Sequence, residues 1–449
     1  LNVTGVQTCA LPISTNDRLY APRTPRNELI NNILADLDFA AENLPTAKNL
    51  YRVTKWTALA LKSRVCLYEG TWRKYHGFEE HETYLKAAAE AAEMFIDNSP
   101  YTIYNAGEQP YRDLFAADKA KAEEVILARN YNSTLSIVHS ANLYFLSGGA
   151  SPGMNKKVVN SYLMKDGTRF TDLPNYNSMQ YYDEMQNRDP RLAQTIVTPG
   201  YKRIGESTVT SVNFGATTTG YQIIKWVSTT ASDGYNKSQN DIPLFRTAEV
   251  MLNFAEAKAE LGTLTQADLD KSVKKLRDRV GMPNINLASA NSNPDPYLEA
   301  NETGYPNVSG ANKGVILEIR RERTIELVAE GLRYDDLMRW KAGKTFEKQF
   351  KGMFIPALDS NKHFVICDLN GNGQADAQDV CVYEGDLNNV KTYSEVANIT
   401  QFLKLGVNLQ LANGNNGGNI IVHDIANKQR SWNETRDYLY PIPQDQITI

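Results

Sequence analysis

GVILEIRRERTIELVAEGLRYDDLMRWKAG, Gly314 to Gly343, is the stretch whose reading decides the fold. It contains no proline and closes on Gly343, a residue suited to ending a helix, so the spacing predicts a helix along its length. Glu318, Glu322, Glu326 and Glu330 recur every fourth residue and share one helical face. Like charges at that spacing repel by roughly a few tenths of a kcal/mol per pair, so cations must offset them. Arg320, Arg321, Arg323 and Arg333 are near in sequence, with Arg339 beyond, while Ile319, Ile325, Val328, Leu332 and Leu337 supply apolar faces. A helix this charged and this apolar is expected to be wrapped by other helices. Its Glu326, Glu330, Arg323 and Arg333 then read as a structural clasp of ion pairs rather than a ligand site.

Upstream lie further amphipathic segments. Thr24-Pro25-Arg26-Asn27 opens ELINNILADLDFAAENLP, with Leu29, Ile30, Ile33, Leu37 and Ala41 apolar and Pro45 as its stop. RVTKWTALALKSRVCLYEGTW follows, with Thr54 as N-cap and Ala58, Leu61, Val65 and Tyr68 as its stripe. TYLKAAAEAAEMFID is alanine-rich and suited to close packing. Paired helices of this kind point to tetratricopeptide-like hairpins, although no strict consensus repeats. Asn130 to Asn240 is different, rich in Tyr, Asn, Ser, Thr and Gly with few helical periods. Within it TSVNFGATTTGYQIIKWV is expected to form a hairpin, and NRDPRL (Asn187 to Leu192) a turn pinned by ion pairs. Residues 284–312 and 384–420 read as mobile Asn/Gly-rich loops.

Composition narrows the function classes. A chain of 449 residues allows two or three domains by length alone. A net charge of -4 and a pI of about 5.9 leave no nucleic-acid footprint. No run of 18 apolar residues is present, so no membrane-spanning helix is expected. The 24 tyrosines offer flat apolar faces with polar tips, which suit wet, amphipathic ligands. Four cysteines without a CxxC pair give neither a zinc site nor a redox motif.

DLNGNGQADAQD, Asp368 to Asp379, is the sharpest local motif. Asp368, Asn370, Asn372, Asp376 and Asp379 stand at positions one, three, five, nine and twelve of a calcium-type loop, with Gly373 at the sharp turn and the Gln374 carbonyl at position seven. Calcium takes six to eight oxygens, and this spacing predicts a structural calcium site. Aspartate at position twelve, where glutamate is usual, resembles dockerin-type loops; the alternative is a polar Asn/Gly turn. Cys367 and Cys381 bracket the loop, and a disulfide between them would pin its ends, the alternative being two free thiols. Cys66 sits inside a helix and reads as a small buried hydrophobe. For glycoside hydrolysis two carboxylates must face each other across a cleft. Asp335-Asp336 and Asp183-Glu184 are adjacent, so on a helix they diverge. The histidines at 76, 81, 139, 363 and 423 show no HExxH or triad setting, and no GxSxG, Walker or GxGxxG pattern occurs, so no enzyme is expected.

EIRRERTIELVAEGLRYDDLMRW resembles the late helical block of the SusD/RagB family, surface glycan-binding lipoproteins of gut-type Bacteroidetes. VTKWTALALKSRVCLYEG and IPLFRTAEVMLNFAEAKAELG (Ile242 to Gly262), the latter followed by a helix ending RDRVGMP, also have family counterparts in the same order, and NRDPRL matches a common family segment. With the opening helix, the resemblance spreads over most of residues 20 to 345. It implies a mainly α fold, a tetratricopeptide-like helical scaffold with a loop-rich irregular insertion region and little β. One domain, 15–449, is expected: helical hairpins at 15–129 and 241–345, the irregular region at 130–240, and a loop-rich part at 346–449 carrying the calcium-type loop 368–379. The function implied is capture of oligosaccharides and delivery to a TonB-dependent SusC-like transporter, over which the protein sits as a lid. It would be held on the outward face of the outer membrane by a lipid anchor.

Two further expectations follow from the ends and the aromatics. VTGVQTCALPIS, within residues 1–14, resembles a translated sequencing adapter; these residues and Cys9 are expected to be non-native, the signal peptide and anchor cysteine to be missing, and the close, YLYPIPQDQITI, to be cut short. Sugar binding needs aromatic faces for C–H surfaces and planar polar groups for hydroxyls. Trp72 and Tyr75, and Tyr131, Asn132, Tyr144 and Phe145, are the candidates, with Tyr181 and Tyr182 behind them, each alone being commonly a packing residue. The alternatives are a helical-repeat scaffold that binds peptides or proteins, and a glycoside hydrolase.

Overall fold

The computed structural model describes residues 24–147, 149, 151–422 and 430–440. Residues 1–14 with Cys9, His423, and the end of the chain from Pro441 lie outside the described residues. The three predicted helices are present as α1 (Arg26–Asn43), α2 (Lys55–His76) and α3 (His81–Asn98). Thr54 and Thr57 cap α2 reciprocally, and Gly77 ends it in the left-handed region at φ 77°. Helices α2 and α3 touch at Gly70, where a Cβ would come within 2.9 Å of the Leu85 amide nitrogen. Cys66 is fully buried in this hairpin, as expected, and burial pushes its thiol up to about 12.

The middle of the chain continues with α4 (Pro110–Ala116), β1 (Val125–Arg129), α5 (Ala141–Leu146), α6 (Lys156–Ser161), α7 (Tyr181–Glu184) and α8 (Pro190–Ala193). The hairpin expected over residues 210–227 does not form. Tyr221, Ile224 and Val227 are core residues, so the segment pairs with other segments instead: Gln222 bridges Gly153 and Ile223 bridges Ile196. Then β2 (Ile242–Arg246) pairs antiparallel with β1 and leads into α9 (Thr247–Glu260). Every residue of α9 except Lys258 is buried, because the helix packs against α2, α3 and a later helix, Lys313–Glu326. Next come α10 (Gln266–Lys271), α11 (Val273–Asp278), α12 (Leu287–Ser292) and α13 (Pro296–Glu299). The last two lie within a predicted loop; Asn286 and Asp295 cap them through side-chain oxygens.

The deciding stretch is two helices, not one: α14 (Lys313–Glu326) and α15 (Arg333–Arg339). Between them Ala329 and Gly331 adopt positive φ, 58° and 85°. The reason is distant. Tyr111 Oη and Arg246 donate to the Glu326 carbonyl at 2.7 and 2.8 Å, Lys225 to that of Val328 at 2.7 Å, and Trp226 Nε1 to that of Ala329 at 3.0 Å. These donors satisfy carbonyls that a continuous helix would have used. Gly343 therefore opens a 3₁₀ turn, Gly343–Glu347, instead of capping the stretch.

The clasp exists, with partners other than the neighbouring arginines. Glu326 accepts from Arg246 at 2.7 Å and Arg191 at 3.0 Å, and from Arg279. Glu330 pairs with Arg246 and Lys225, Glu322 with Arg191 and Arg277, and Glu124 with Arg246 and Arg279. Arg191 belongs to NRDPRL, whose turn is pinned by Asp189 as predicted. Of the nearby arginines, Arg323 pairs with Asp336, Arg320 with Glu260 and Arg339 with Glu256, while Arg333 bonds only neutral oxygens.

The C-terminal part holds more strand than its composition implies: β3 (Lys351–Ile355), β4 (Phe364–Cys367), β5 (Val380–Tyr383), then α16 (Leu387–Val390), β6 (Gln401–Lys404), β7 (Gln410–Leu411) and β8 (Gly418–Ile421). One sheet runs β3-β8-β7 and another β4-β5-β6, the β5–β6 pair being parallel. Helices still dominate, so the chain is mainly α. The disulfide is not present. Cys367 faces Val380 across the β4–β5 ladder and Cys381 faces Ile366, so the thiols project from opposite faces of the sheet. Cys367 joins the core shared with Val380 and Val382, Cys381 the cluster of Phe364 and Tyr383.

Candidate ligand cleft

A cleft of about 620 Å³ opens between α6, residues 171–177, α13 and residues 345–351. It adjoins a smaller niche of about 220 Å³, and Asn155, Lys157, Thr303, Thr345 and Phe350 border both. Cavities of this combined size suit a ligand of a few rings.

Helix α6 sets one wall. The Asn155 side chain accepts the Lys157 amide at 3.1 Å and starts the helix, so the two lysines diverge. Lys156 is buried, with its Nζ 2.6 Å from Glu184, which also accepts the Tyr221 hydroxyl at 2.7 Å. Lys157 borders the cleft and the niche. Burial, with Arg333 and Lys348 close by, lowers its ammonium to about 7, and Glu302 acts against the shift. On the far side Lys348 pairs with Glu302 at 2.9 Å. Tyr176 and Tyr297 meet edge to face at 6.1 Å, and Tyr297 follows the Asp295 cap of α13. Phe350 is 37 % exposed, with Arg430 stacked 4.2 Å from its ring centre. Amides of Asn155, Asn177, Gln349 and Asn419 supply donors and acceptors for hydroxyls. The cleft offers no free carboxylate pair: Asp295 is tied to Arg321 and Glu302 to Lys348, leaving Asp172. One acid of each adjacent pair named from sequence is also engaged, Asp336 by Arg323 and Arg339, and Glu184 by Lys156.

None of the six predicted glycan residues borders this cleft. Trp72 is a core residue, 6 % exposed, stacked between Tyr68 and His76. Its helical spacing from those two rings was the signal of packing. Tyr75 is also a packing residue, donating to Glu260 at 2.8 Å beneath the Arg320 guanidinium. Tyr131 meets His139 edge to face, and the Asn132 side chain caps the turn that follows by accepting the Thr134 amide at 2.9 Å. Tyr144 on α5 is exposed, whereas Phe145 packs inward between two core clusters. Tyr181 is buried, and Tyr182 lies against Gly371 of the calcium-type loop.

In that loop Asp368 accepts the amides of Gly371 at 2.6 Å and Gly373 at 2.8 Å, and Asp379 is buried, accepting those of Leu369 and Asp376. The Asn370 and Asn372 side chains donate to Asp376 at 2.9 and 2.8 Å. Among the described residues no group of three or more His, Cys, Asp or Glu side chains is gathered as metal ligands.

The profile of the SusD family matches residues 114–449, and the chain belongs to that family. SusD-like protein P38 of Formosa agariphila is 25% identical over 349 residues, 73% of this chain and 60% of that protein. SusD-like protein P2 of the same organism is 26% identical, over 77% of this chain and 62% of its own length. The chain thus spans about three fifths of the curated relatives it matches. A SusD-like carbohydrate binding protein of Bacteroides fragilis superposes with a TM-score of 0.63 at 21% identity, covering 96% of this chain and 72% of that one. A second SusD-like protein of B. fragilis gives 0.60 at 20%, covering 95% and 70%.

Proposed function

We propose that this protein captures oligosaccharides at the outward face of the outer membrane and passes them to a TonB-dependent SusC-like transporter, without making or breaking bonds. The observation that supports this reading most is a cleft edged by Phe350, Tyr176 and side-chain amides on a SusD-family fold. Aromatic edges take sugar C–H faces, and amides take hydroxyls. Attachment by a lipid anchor is part of this reading and rests on the family resemblance; among the described residues no helix is long and apolar enough to cross a membrane.

Native affinity gels with neutral, uronate-rich and sulfated polysaccharides test the reading, with calorimetry on the oligosaccharides of whichever is retained. Phe350→Ala is expected to weaken binding about tenfold, roughly 1.4 kcal/mol of lost ring contact. Tyr144→Ala is expected to leave it unchanged. The opposite pattern would move the site to the Tyr131–Tyr144 surface, and release of shorter sugars would overturn the non-catalytic claim.

We also propose that the loop Asp368–Asp379 holds one calcium ion. Asp368, Asp376 and Asp379, the Asn370 and Asn372 amide oxygens and the Gln374 carbonyl make a hard oxygen set. Binding requires both asparagine amides to turn over, since their nitrogens now face Asp376. Calcium at about a hundredfold over its Kd is expected to stabilise the protein by roughly 2.7 kcal/mol. Calorimetry of the parent beside Asp368→Ala checks it; equal heats in both rule the loop out.

A further inference from the structure

We propose that the cleft is built for an acidic oligosaccharide, with a carboxylate or sulfate ester of one sugar unit entering the niche beside Lys157 and Arg333. This rests on the reading of the cleft as the glycan site. The niche is walled largely by Val158, Leu298, Leu337, Phe346 and Phe350, an apolar setting. Three cations border it, and two of them, Lys157 and Arg333, have no ion-pair partner among the described residues. Arg333 is positioned by neutral oxygens alone, Tyr305 Oη at 2.7 Å and Thr324 Oγ1 at 3.1 Å. Lys157 contrasts with its neighbour Lys156, whose ammonium has Glu184 as counter-ion. The remaining charged groups that border the two cavities are Arg321, paired with Asp295; Lys348, paired with Glu302; and Lys351 and Asp172. The balance is cationic, in a chain whose net charge is -4.

A desolvated ammonium without a counter-ion destabilises the fold that contains it. A lysine serving stability alone would be paired, as Lys156 is. An anion in the niche supplies the missing partner to both cations through charge-assisted hydrogen bonds. It also recharges Lys157, whose ammonium stands at about 7 in the free protein. Binding an anion therefore takes up a proton near neutral pH. Affinity is full below pH 7 and falls as pH rises through it, by up to about tenfold per pH unit until the pKa of the bound form is reached.

Calorimetry with three probes tests this: oligogalacturonate, a sulfated galactan oligosaccharide and neutral cellohexaose, each at pH 6 and pH 8.5 and, at pH 7.5, in buffers of different ionisation enthalpy. An acidic probe is expected to bind with uptake of about half to three quarters of a proton at pH 7.5. Lys157→Met is expected to weaken it about tenfold or more. Lys157→Arg is expected to keep the affinity while abolishing both the proton uptake and the fall above pH 7, which a purely structural role would not produce. Thermal unfolding confirms that both variants fold. Whether the uronate or the sulfate ester binds names the source of the anion. If the cleft binds only cellohexaose, lost in Phe350→Ala and indifferent to Lys157→Met, the acidic-ligand inference is wrong and the glycan site stands. If an acidic probe binds without sensitivity to Lys157, the niche is not its anion site. Binding by none of the probes, or binding insensitive to Phe350→Ala, overturns both.

Discussion

Glu326→Gln is expected to destabilise the protein by about 3–5 kcal/mol, the cost of breaking a buried ion network from one side. Glu326 is fully buried and serves three guanidiniums, those of Arg191, Arg246 and Arg279. Glutamine keeps the shape but removes the charge, leaving Arg279 with Glu124 alone, Arg246 with Glu330 and a share of Glu124, and Arg191 with Asp189 and Glu322. The exposed pair Lys362–Glu395 is the control: Glu395→Gln should leave the midpoint nearly unchanged. The comparison is read as the shift of the urea midpoint at pH 7. The acid limb carries a second reading. Burial alone would raise the Glu326 carboxyl, but Arg279, Arg246 and Arg191 outweigh it and hold it well below the ordinary range. Burial likewise opposes, and Arg339 chiefly overcomes, the shift that puts Glu256 at about 2. Groups depressed in the folded state stabilise it above their unfolded values, about 4.5, and lose that contribution as pH falls through the folded ones. Stability of the parent should therefore fall between about pH 4.5 and 2, and the fall should be shallower in Glu326→Gln.

Trp340→Ala is expected to cost a similar amount, about 3–5 kcal/mol. The side chain is fully buried at the end of α15, under the guanidiniums of Arg320 and Arg339 at 4.4 and 4.6 Å and edge-on to Tyr305. Its Nε1 donates to Glu256 at 2.6 Å. Alanine leaves a cavity, uncovers two cations and removes one donor from a buried carboxylate. Trp340→Phe retains most of the ring and should lose about half as much, measured by the same urea midpoint. Equal losses in both variants would mean that the hydrogen bond, not the ring, is what matters there.

The helices were legible because their apolar periods and caps are local. Thr54, Pro45 and the alanines of α3 carry that information within a few residues. The division of α14 from α15 was not legible, because the donors that claim the carbonyls of Glu326, Val328 and Ala329 come from Tyr111, Lys225, Trp226 and Arg246. Family membership could be read from the same blocks, since they record the helical core. The cleft could not. Its walls come from separate segments, and Lys157 is one of two adjacent lysines that only the structure distinguishes. The opposed faces of Cys367 and Cys381 follow from a ladder register that the intervening 13 residues do not specify.

The clasp also constrains the order in which the chain can fold. Glu124, Arg191, Lys225, Arg246, Arg279 and Glu326 come from six separate places spanning some two hundred residues. Helical-repeat proteins ordinarily grow by adding one unit to the next, each stable once its neighbour is present. Here a nascent chain that has not yet reached Glu326 carries Arg191, Arg246 and Arg279 without a counter-charge that all three share. The first hairpins can pair early through local contacts, but the body of the fold closes only when that late glutamate arrives. The sequence separation of these contacts makes closure the slow step, so a chain stopped short of Glu326 would hold its hairpins but not its body.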